Sequence, residues 1–318
     1  MSARQLLPYL RCPDCLQTLS EASDQELRCN GCGRAFPVRA GVPRFASDGS
    51  KTALYFGYMW EEQIDAVVPP TVPSPYHLHA LQQAVGSPPF EGLILDAGCG
   101  EGIDLSMLAL DPKCEVVGVE LSSGGVAASL ARTNGLERAH IVQGDLLRLP
   151  IASNTFDGGY SYGVVHHTPN PGKAVQEIGR TLKPGAPLLL YVYEDFSDRA
   201  WPWRAALKLA NSVRVVTTHL PPRLLMRLCR LLSPVVYVFC TLPSRRFRWA
   251  ARFPYRHGTD PWSMSGDLYD RLSAPIEERY SKTSAAALAE KAGLDVQRVV
   301  RERGWMVYGR KPAAHAGE

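Results

Sequence analysis

Acidic residues are almost missing from one long stretch of this chain. Residues 196–256 hold one acid, Asp198, against 12 arginines and lysines, a net charge of +11. The rest of the sequence holds 23 basic and 30 acidic residues, a net −7, and the total of +4 hides both. Asymmetry of this kind concerns partners rather than fold. Long apolar runs are absent too. No stretch reaches the roughly 18 uncharged apolar residues of a spanning helix. The nearest, Leu231 to Pro243, is short and contains Pro234. Met1 to Pro8 shows neither the apolar core nor the small-residue cleavage site of a signal peptide. The chain therefore reads as cytoplasmic, with contact to a membrane surface left open for the basic stretch. A 45% hydrophobic and 21% charged composition excludes disordered and collagen-like classes. The length of 318 residues suggests about two folding units.

Cysteine is scarce, and half of the eight residues come in close pairs. Cys12-Pro-Asp-Cys15 and Cys29-Asn-Gly-Cys32 are two knuckles separated by thirteen residues. Each places two thiolates where they can share one tetrahedral ion, so the spacing predicts a four-cysteine Zn²⁺ site. Four thiolates close the coordination sphere and leave no position for water, so the metal is expected to be structural. A unit this small has too little core to fold alone, and metal binding supplies the difference. Cys99, Cys114, Cys229 and Cys240 are scattered and are expected to be reduced.

Residues 46–90 read as a linker with an aromatic segment, Tyr55 to Trp60. Prolines at 69, 70, 73, 75, 88 and 89 argue against long regular structure there. The aromatic segment suits either a core or a ligand pocket. From residue 91, short apolar strands alternate with helical stretches. Strands are expected at 93–96, 115–120, 140–145, 156–162 and 188–193, with helices at 103–110, 126–134 and 173–182. This alternation predicts an α/β fold, a doubly wound parallel sheet covered on both faces.

The sharpest motif is Asp96-Ala-Gly-Cys-Gly-Glu-Gly102, after a strand and before a helix, where doubly wound folds bind ligands. The dinucleotide fingerprint G-x-G-x-x-G fails, because position 103 is Ile103. Gly98 and Gly100 let the backbone approach a ligand closely. Asp96 would repel a pyrophosphate but suits the ammonium of an amino-acid moiety, which favours S-adenosylmethionine. Glu120 ends the second strand, where a carboxylate can accept from both ribose hydroxyls. Asp145 ends the third, placed for an adenine amino group. Cys99, Leu121, Leu146 and Ser161, beside or within these motifs, complete the candidate cofactor set.

LDAGCGEG (95–102), VVGVE (116–120), GDLLRLPIASNTFDGGYSYGVVHHTPNP (144–171) and RTLKPGAPLLLYVY (180–193) resemble class I S-adenosylmethionine-dependent methyltransferases of the methyltransferase-11 type. The resemblance is close over about 92–193 and resumes at 267–311. It implies a Rossmann-like seven-stranded sheet of order 3-2-1-4-5-7-6 with strand seven antiparallel, and a helical insert after strand five. Residues 1–45 resemble the zinc ribbon that precedes or partners several methyltransferases. Lys183-Pro-Gly-Ala186 departs from the double glycine common in the family. The expected units are a ribbon (1–45), the linker segment (46–90), a methyltransferase core (91–195), a basic insert (196–266) and the end of the core (267–318).

Two histidines, His166 and His167, follow strand four and face the ligand crevice by topology. Either can serve as a general base, or can merely cap local structure. The expected acceptor is a small molecule, methylated on oxygen or carbon rather than nitrogen. Ribosomal or transfer RNA and a non-catalytic partner subunit remain alternatives. The ribbon is nearly neutral, with six basic and five acidic residues over 1–50, which disfavours RNA. In the insert, Pro221 to Leu232 predicts an amphipathic helix with Arg223, Arg227 and Arg230 on one face. A second basic cluster spans Arg245 to Arg252. The insert suits a lid paired with acids, a contact to a membrane or an anionic, lipid-linked substrate, or RNA. The oligomeric state is not legible.

Overall fold

The computed structural model describes residues 3–64, 69–71, 77–246 and 260–313. The chain opens with a short helix α1 (Ala3–Leu6) and a four-stranded antiparallel sheet, β1 (Leu19–Ser23), β2 (Glu26–Cys29), β3 (Ala35–Arg39) and β4 (Val42–Pro43). The first cysteine knuckle precedes β1, and the second starts at the end of β2 and turns the chain into β3. The expected linker contains α2 (Lys51–Gln63) and α3 (His77–Val85). Its prolines begin at position 69, so 51–63 is free to coil. Ser50 starts α2 by accepting the Ala53 N–H on its side chain at 3.1 Å.

The main sheet follows the predicted alternation. Its elements run β5 (Gly92–Ala97), α4 (Ile103–Ala109), β6 (Cys114–Glu120), α5 (Ser123–Arg132), β7 (Ala139–Gln143), β8 (Gly158–Tyr162), α6 (Pro171–Thr181) and β9 (Pro187–Val192). The insert supplies α7 (Trp201–Thr217) and α8 (Pro222–Arg246), and α9 (Pro261–Ser273) runs across its expected boundary at residue 266. The chain closes with α10 (Lys282–Lys291), β10 (Asp295–Arg301) and β11 (Trp305–Arg310). The strand order is β7-β6-β5-β8-β9-β11-β10, and β11 runs antiparallel to β9. That is the expected seven-stranded order with its antiparallel seventh strand. Val116, Val117 and Val119 of β6, and Leu188 to Leu190 of β9, are buried, as befits strands covered on both faces.

The ribbon is built into this core. Leu6, Leu10, Leu27 and Phe36 share one apolar cluster with Leu146, Leu149 and Ile151. The Arg11 N–H donates to the Pro150 carbonyl at 2.9 Å, and the Ala152 N–H to the Tyr9 carbonyl at 2.8 Å. Arg44 bridges Gln143 in parallel, so the ribbon's end meets the last residue of β7.

The insert helix is longer than the sequence suggested, because Pro234 does not end it. A proline at this position leaves the Arg230 carbonyl without its usual N–H partner. The Ser233 hydroxyl donates to that carbonyl at 3.1 Å and makes good the loss. The side chains of the second basic cluster, 245–252, lie outside the described residues.

One close approach was not legible in sequence. A Cβ on Gly124 of α5 would lie 2.1 Å from the carbonyl oxygen of Gly57 in α2. Backbone cannot move aside as a side chain can. Gly124→Ala should therefore push α2 off α5 and cost about 1–3 kcal/mol, the usual range for overpacking. Chemical denaturation would check this, and an unchanged midpoint would show that the two helices are not held at that spacing.

Candidate functional site

A cavity of about 1780 Å³ lies above the carboxyl ends of β5 to β8, beneath α2, α8 and α9. Its floor is the glycine loop. Gly98 holds φ +88°, and a Cβ there would lie 2.4 Å from Val164. Gly100 holds φ +52°, with Trp60 just 3.0 Å from where its Cβ would be. Both positions need glycine for conformation and for space.

Asp96 stands at the end of β5, 4% exposed and on the cavity wall. Burial, with Asp104 close by, holds its carboxyl well above the usual range. Glu120 is also buried on the wall, and burial raises its carboxyl. Its oxygens accept from the Ser122 N–H at 2.9 Å, the Ser122 hydroxyl at 2.7 Å and the Gly100 N–H at 3.1 Å. Glu120 thereby ties the end of β6 to the glycine loop. Asp145 caps the turn that follows, accepting the Leu147 N–H at 2.9 Å on one oxygen. Cys99, Leu121 and Leu146 also line the cavity.

Two expected residues sit elsewhere. Ser161 is fully buried, and its hydroxyl donates to the Ala97 carbonyl at 2.8 Å, tying β8 to β5 behind the wall. His166 is fully buried behind His167, and neither ring nitrogen has a hydrogen-bond partner among the described residues. Burial holds its imidazole well below the usual range. His167 does line the cavity. Its Nδ1 lies 2.7 Å from the Ile276 carbonyl, which can only accept, so the proton sits on Nδ1. Nε2 keeps its lone pair and has no hydrogen-bond partner among the described residues.

Several wall residues were not among the candidate site residues, although the aromatic segment was read as suiting either a core or a pocket. The aromatic segment divides by helix face. Tyr55 packs into the cap, donating its hydroxyl to the Leu220 carbonyl at 2.6 Å, while Phe56 and Trp60 line the cavity. The i, i+4 spacing of Phe56 and Trp60 was the available signal. His77, Tyr162 and Tyr191 form a stacked wall with centroid separations of 4.3 and 4.4 Å. They come from three distant segments and have no local signature. Asp267 of α9 also lines the cavity, and burial pushes its carboxyl up to about 6.

The four ribbon cysteines fit one metal ion. Their sulfurs all lie within 4.8 Å of one another, with Cys12 to Cys32 at 3.8 Å and Cys15 to Cys29 at 3.4 Å. Ligands about 2.3 Å from a tetrahedral zinc stand about 3.8 Å apart. The N–H groups of Cys32 and Gly31 point at the Cys29 sulfur and pull its thiol down to about 6.

The insert arginines fall into two groups. Arg199 pairs with Glu194 at 2.8 Å, Arg214 with Glu277 at 2.8 Å and Arg230 with Glu62 at 2.6 Å. These hold the cap to the acidic remainder. Arg223 and Arg227 lie exposed on α8.

Comparison with known proteins agrees with this geometry. Residues 95–190 match the family described as methyltransferase domain, and residues 4–41 match the Trm112p-like protein family. The chain is similar to 24-methylenesterol C-methyltransferase 3 of Arabidopsis thaliana, 35% identical over 31% of this chain and 28% of that protein. It is also similar to the ubiquinone/menaquinone biosynthesis C-methyltransferase UbiE of Syntrophotalea carbinolica, 34% identical over 42% of this chain and 54% of that protein. The chain thus spans about half or less of the length of these relatives. A solved complex of the Haloferax volcanii Trm112 methyltransferase activator with a putative methyltransferase shares the fold. Its TM-score is 0.50 at 15% identity, over 84% of this chain and 100% of that one. Residues 95–190 thus match the methyltransferase-domain family over about a third of the chain, and residues 4–41 match the Trm112p-like family at its amino end.

Proposed function

We propose that the chain is an S-adenosylmethionine-dependent methyltransferase acting on a small-molecule acceptor, on oxygen or carbon rather than nitrogen. The observation that carries this is the convergence of Asp96, Glu120, Asp145 and the glycine loop on one cavity at the carboxyl ends of three adjacent strands. In this reading Asp96 takes the cofactor's ammonium, Glu120 the ribose hydroxyls and Asp145 the adenine amine. Bound there, S-adenosylmethionine supplies a sulfonium methyl whose displacement neutralises the sulfur. The protein's own contribution is then mainly to position the acceptor and exclude water. The cavity exceeds the roughly 300–1,000 Å³ of a single-ligand pocket, so acceptor and cofactor fit together. The similar C-methyltransferases named above support a small-molecule acceptor.

His167, whose ring lines the cavity while its Nε2 is buried and has no hydrogen-bond partner among the described residues, is the candidate base for a hydroxyl or acidic carbon, provided the acceptor reaches that nitrogen. His167→Gln should cut kcat about 10²-fold or more while cofactor affinity holds. Steady-state kinetics beside a cofactor titration would show this, and equal kcat would remove the base role. The ribbon, zinc-loaded through Cys12, Cys15, Cys29 and Cys32, props the loop after Asp145 from within the same chain. The Haloferax volcanii complex joins an activator to a methyltransferase as separate chains.

The reading is tested by incubating the chain with methyl-labelled cofactor and a small-molecule extract. Label should enter extractable small molecules, and Asp96→Ala should abolish it. Label confined to added RNA, or none at all, would overturn the proposal.

A further inference from the structure

We infer that the outer faces of α7 and α8 form a docking surface for a bilayer carrying anionic lipid headgroups. The inference goes beyond the methyl-transfer reading and does not depend on it.

Helix α8 has two apolar faces. Leu225, Met226 and Cys229 are buried against α2 and α9. On the opposite side Leu224, Leu228, Leu231 and Val235 stand exposed at i, i+4, i+7 and i+11, with Leu231 at 74% and Val235 at 56%. That spacing makes one continuous stripe. Arg223 and Arg227, both exposed, lie along one flank of it. Helix α7 repeats the pattern. It buries no residue, and Leu209 and Val216 are 68% and 64% exposed, with Arg204 and Lys208 beside them. Neither helix contains an aspartate or glutamate. Exposed leucine at this density is out of place against water. RNA would use the arginines but leave the apolar stripes in water.

A helix with an apolar stripe, a basic flank and no acid is the chemistry that lies in the interface of an anionic bilayer. No helix among the described residues is long and apolar enough to cross a membrane, which fits a surface contact. The inner face of α8 also places Met226 and Arg230 on the cavity wall. One helix would then separate the bilayer from the site.

The test is co-sedimentation of the full chain with vesicles of phosphatidylcholine alone and of phosphatidylcholine mixed with phosphatidylglycerol. Binding is expected to the mixed vesicles only, and to weaken with salt. Leu228→Glu/Leu231→Glu should reduce partitioning by more than about tenfold, and Arg223→Gln/Arg227→Gln by about 25-fold, since each basic residue contributes about fivefold. All four positions are exposed, and unchanged thermal melting of the variants would confirm intact folding. Failure of the wild type to bind mixed vesicles would overturn the inference. So would leucine variants that bind as the wild type does. A concentration-dependent dimer lost in the leucine variants, without vesicle binding, would assign the face to a second copy of the chain instead. An RNA gel shift without vesicle binding would assign it to nucleic acid.

Discussion

Glu120→Ala should weaken S-adenosylmethionine binding by about 10²–10⁴-fold, because two hydrogen bonds to an ionised partner contribute about 1.5–3 kcal/mol each. The substitution also strips acceptors from the Gly100 N–H and the Ser122 N–H and hydroxyl, which all point at this carboxylate. The glycine loop would then keep only its backbone ties to β6, from the Gly98 and Cys99 N–H groups to the Val119 carbonyl. Glu120→Gln keeps the shape and one acceptor oxygen, so it should lie between wild type and alanine. Asp145→Ala should cost less, since one of its oxygens is engaged in capping Leu147. Unchanged affinity in both alanine variants would end the cofactor assignment.

A pH dependence follows from the same groups. Burial raises the carboxyls of Asp96 and Glu120 in the free protein. Pairing with an ammonium and with ribose hydroxyls needs the ionised forms. Cofactor affinity should therefore fall on acidification, starting above the pH of about 4 at which free carboxylates titrate. Stability of the free protein has the opposite sign. A carboxyl raised in the folded state binds its proton more tightly there than in the unfolded chain. Its stabilising contribution is present below the unfolded pKa and is lost as pH rises through the folded one.

Loss of zinc should be the other large effect. Structural zinc in small ribbons contributes about 10–16 kcal/mol of apparent binding free energy at neutral pH. Cys29→Ser, or a strong chelator, should unfold the ribbon and lower the melting temperature of the whole chain. The damage spreads because Leu10, Leu27 and Phe36 sit in the same core as Leu146, Leu149 and Ile151. Those residues follow Asp145, so cofactor affinity should drop with the metal and return when zinc is restored. Metal analysis and calorimetric melting with and without chelator would check this. A chain that melts identically in both conditions would show that the ribbon needs no ion.

Five strands of the sheet were legible as short runs alternating with helical stretches, whereas β10, with the mixed sequence DVQRVVR, and β11 were expected only from the resemblance. Asp96, Glu120 and Asp145 were legible because topology alone puts strand ends at the ligand crevice. The glycine loop was legible through its spacing. Trp60 against Gly100, the stack of His77 on Tyr162 and Tyr191, and the approach of Gly57 to Gly124 were not. Each depends on contact between segments far apart in sequence. The same limit explains Ser161 and His166. Their position along the chain was right for the crevice, but the direction of a side chain is set by the strand pleat and by its hydrogen-bond partner. Pro234 misled for a local reason, since the compensating hydroxyl of Ser233 is visible only once the helix is built.

The central claim is that this cavity binds S-adenosylmethionine, and calorimetric titration of the zinc-loaded full chain tests it most directly. The account predicts saturable binding at one site per chain, with the demethylated product competing for it and Asp96→Ala abolishing the heat. No binding by the wild-type chain, or binding that persists unchanged in Asp96→Ala, would contradict it.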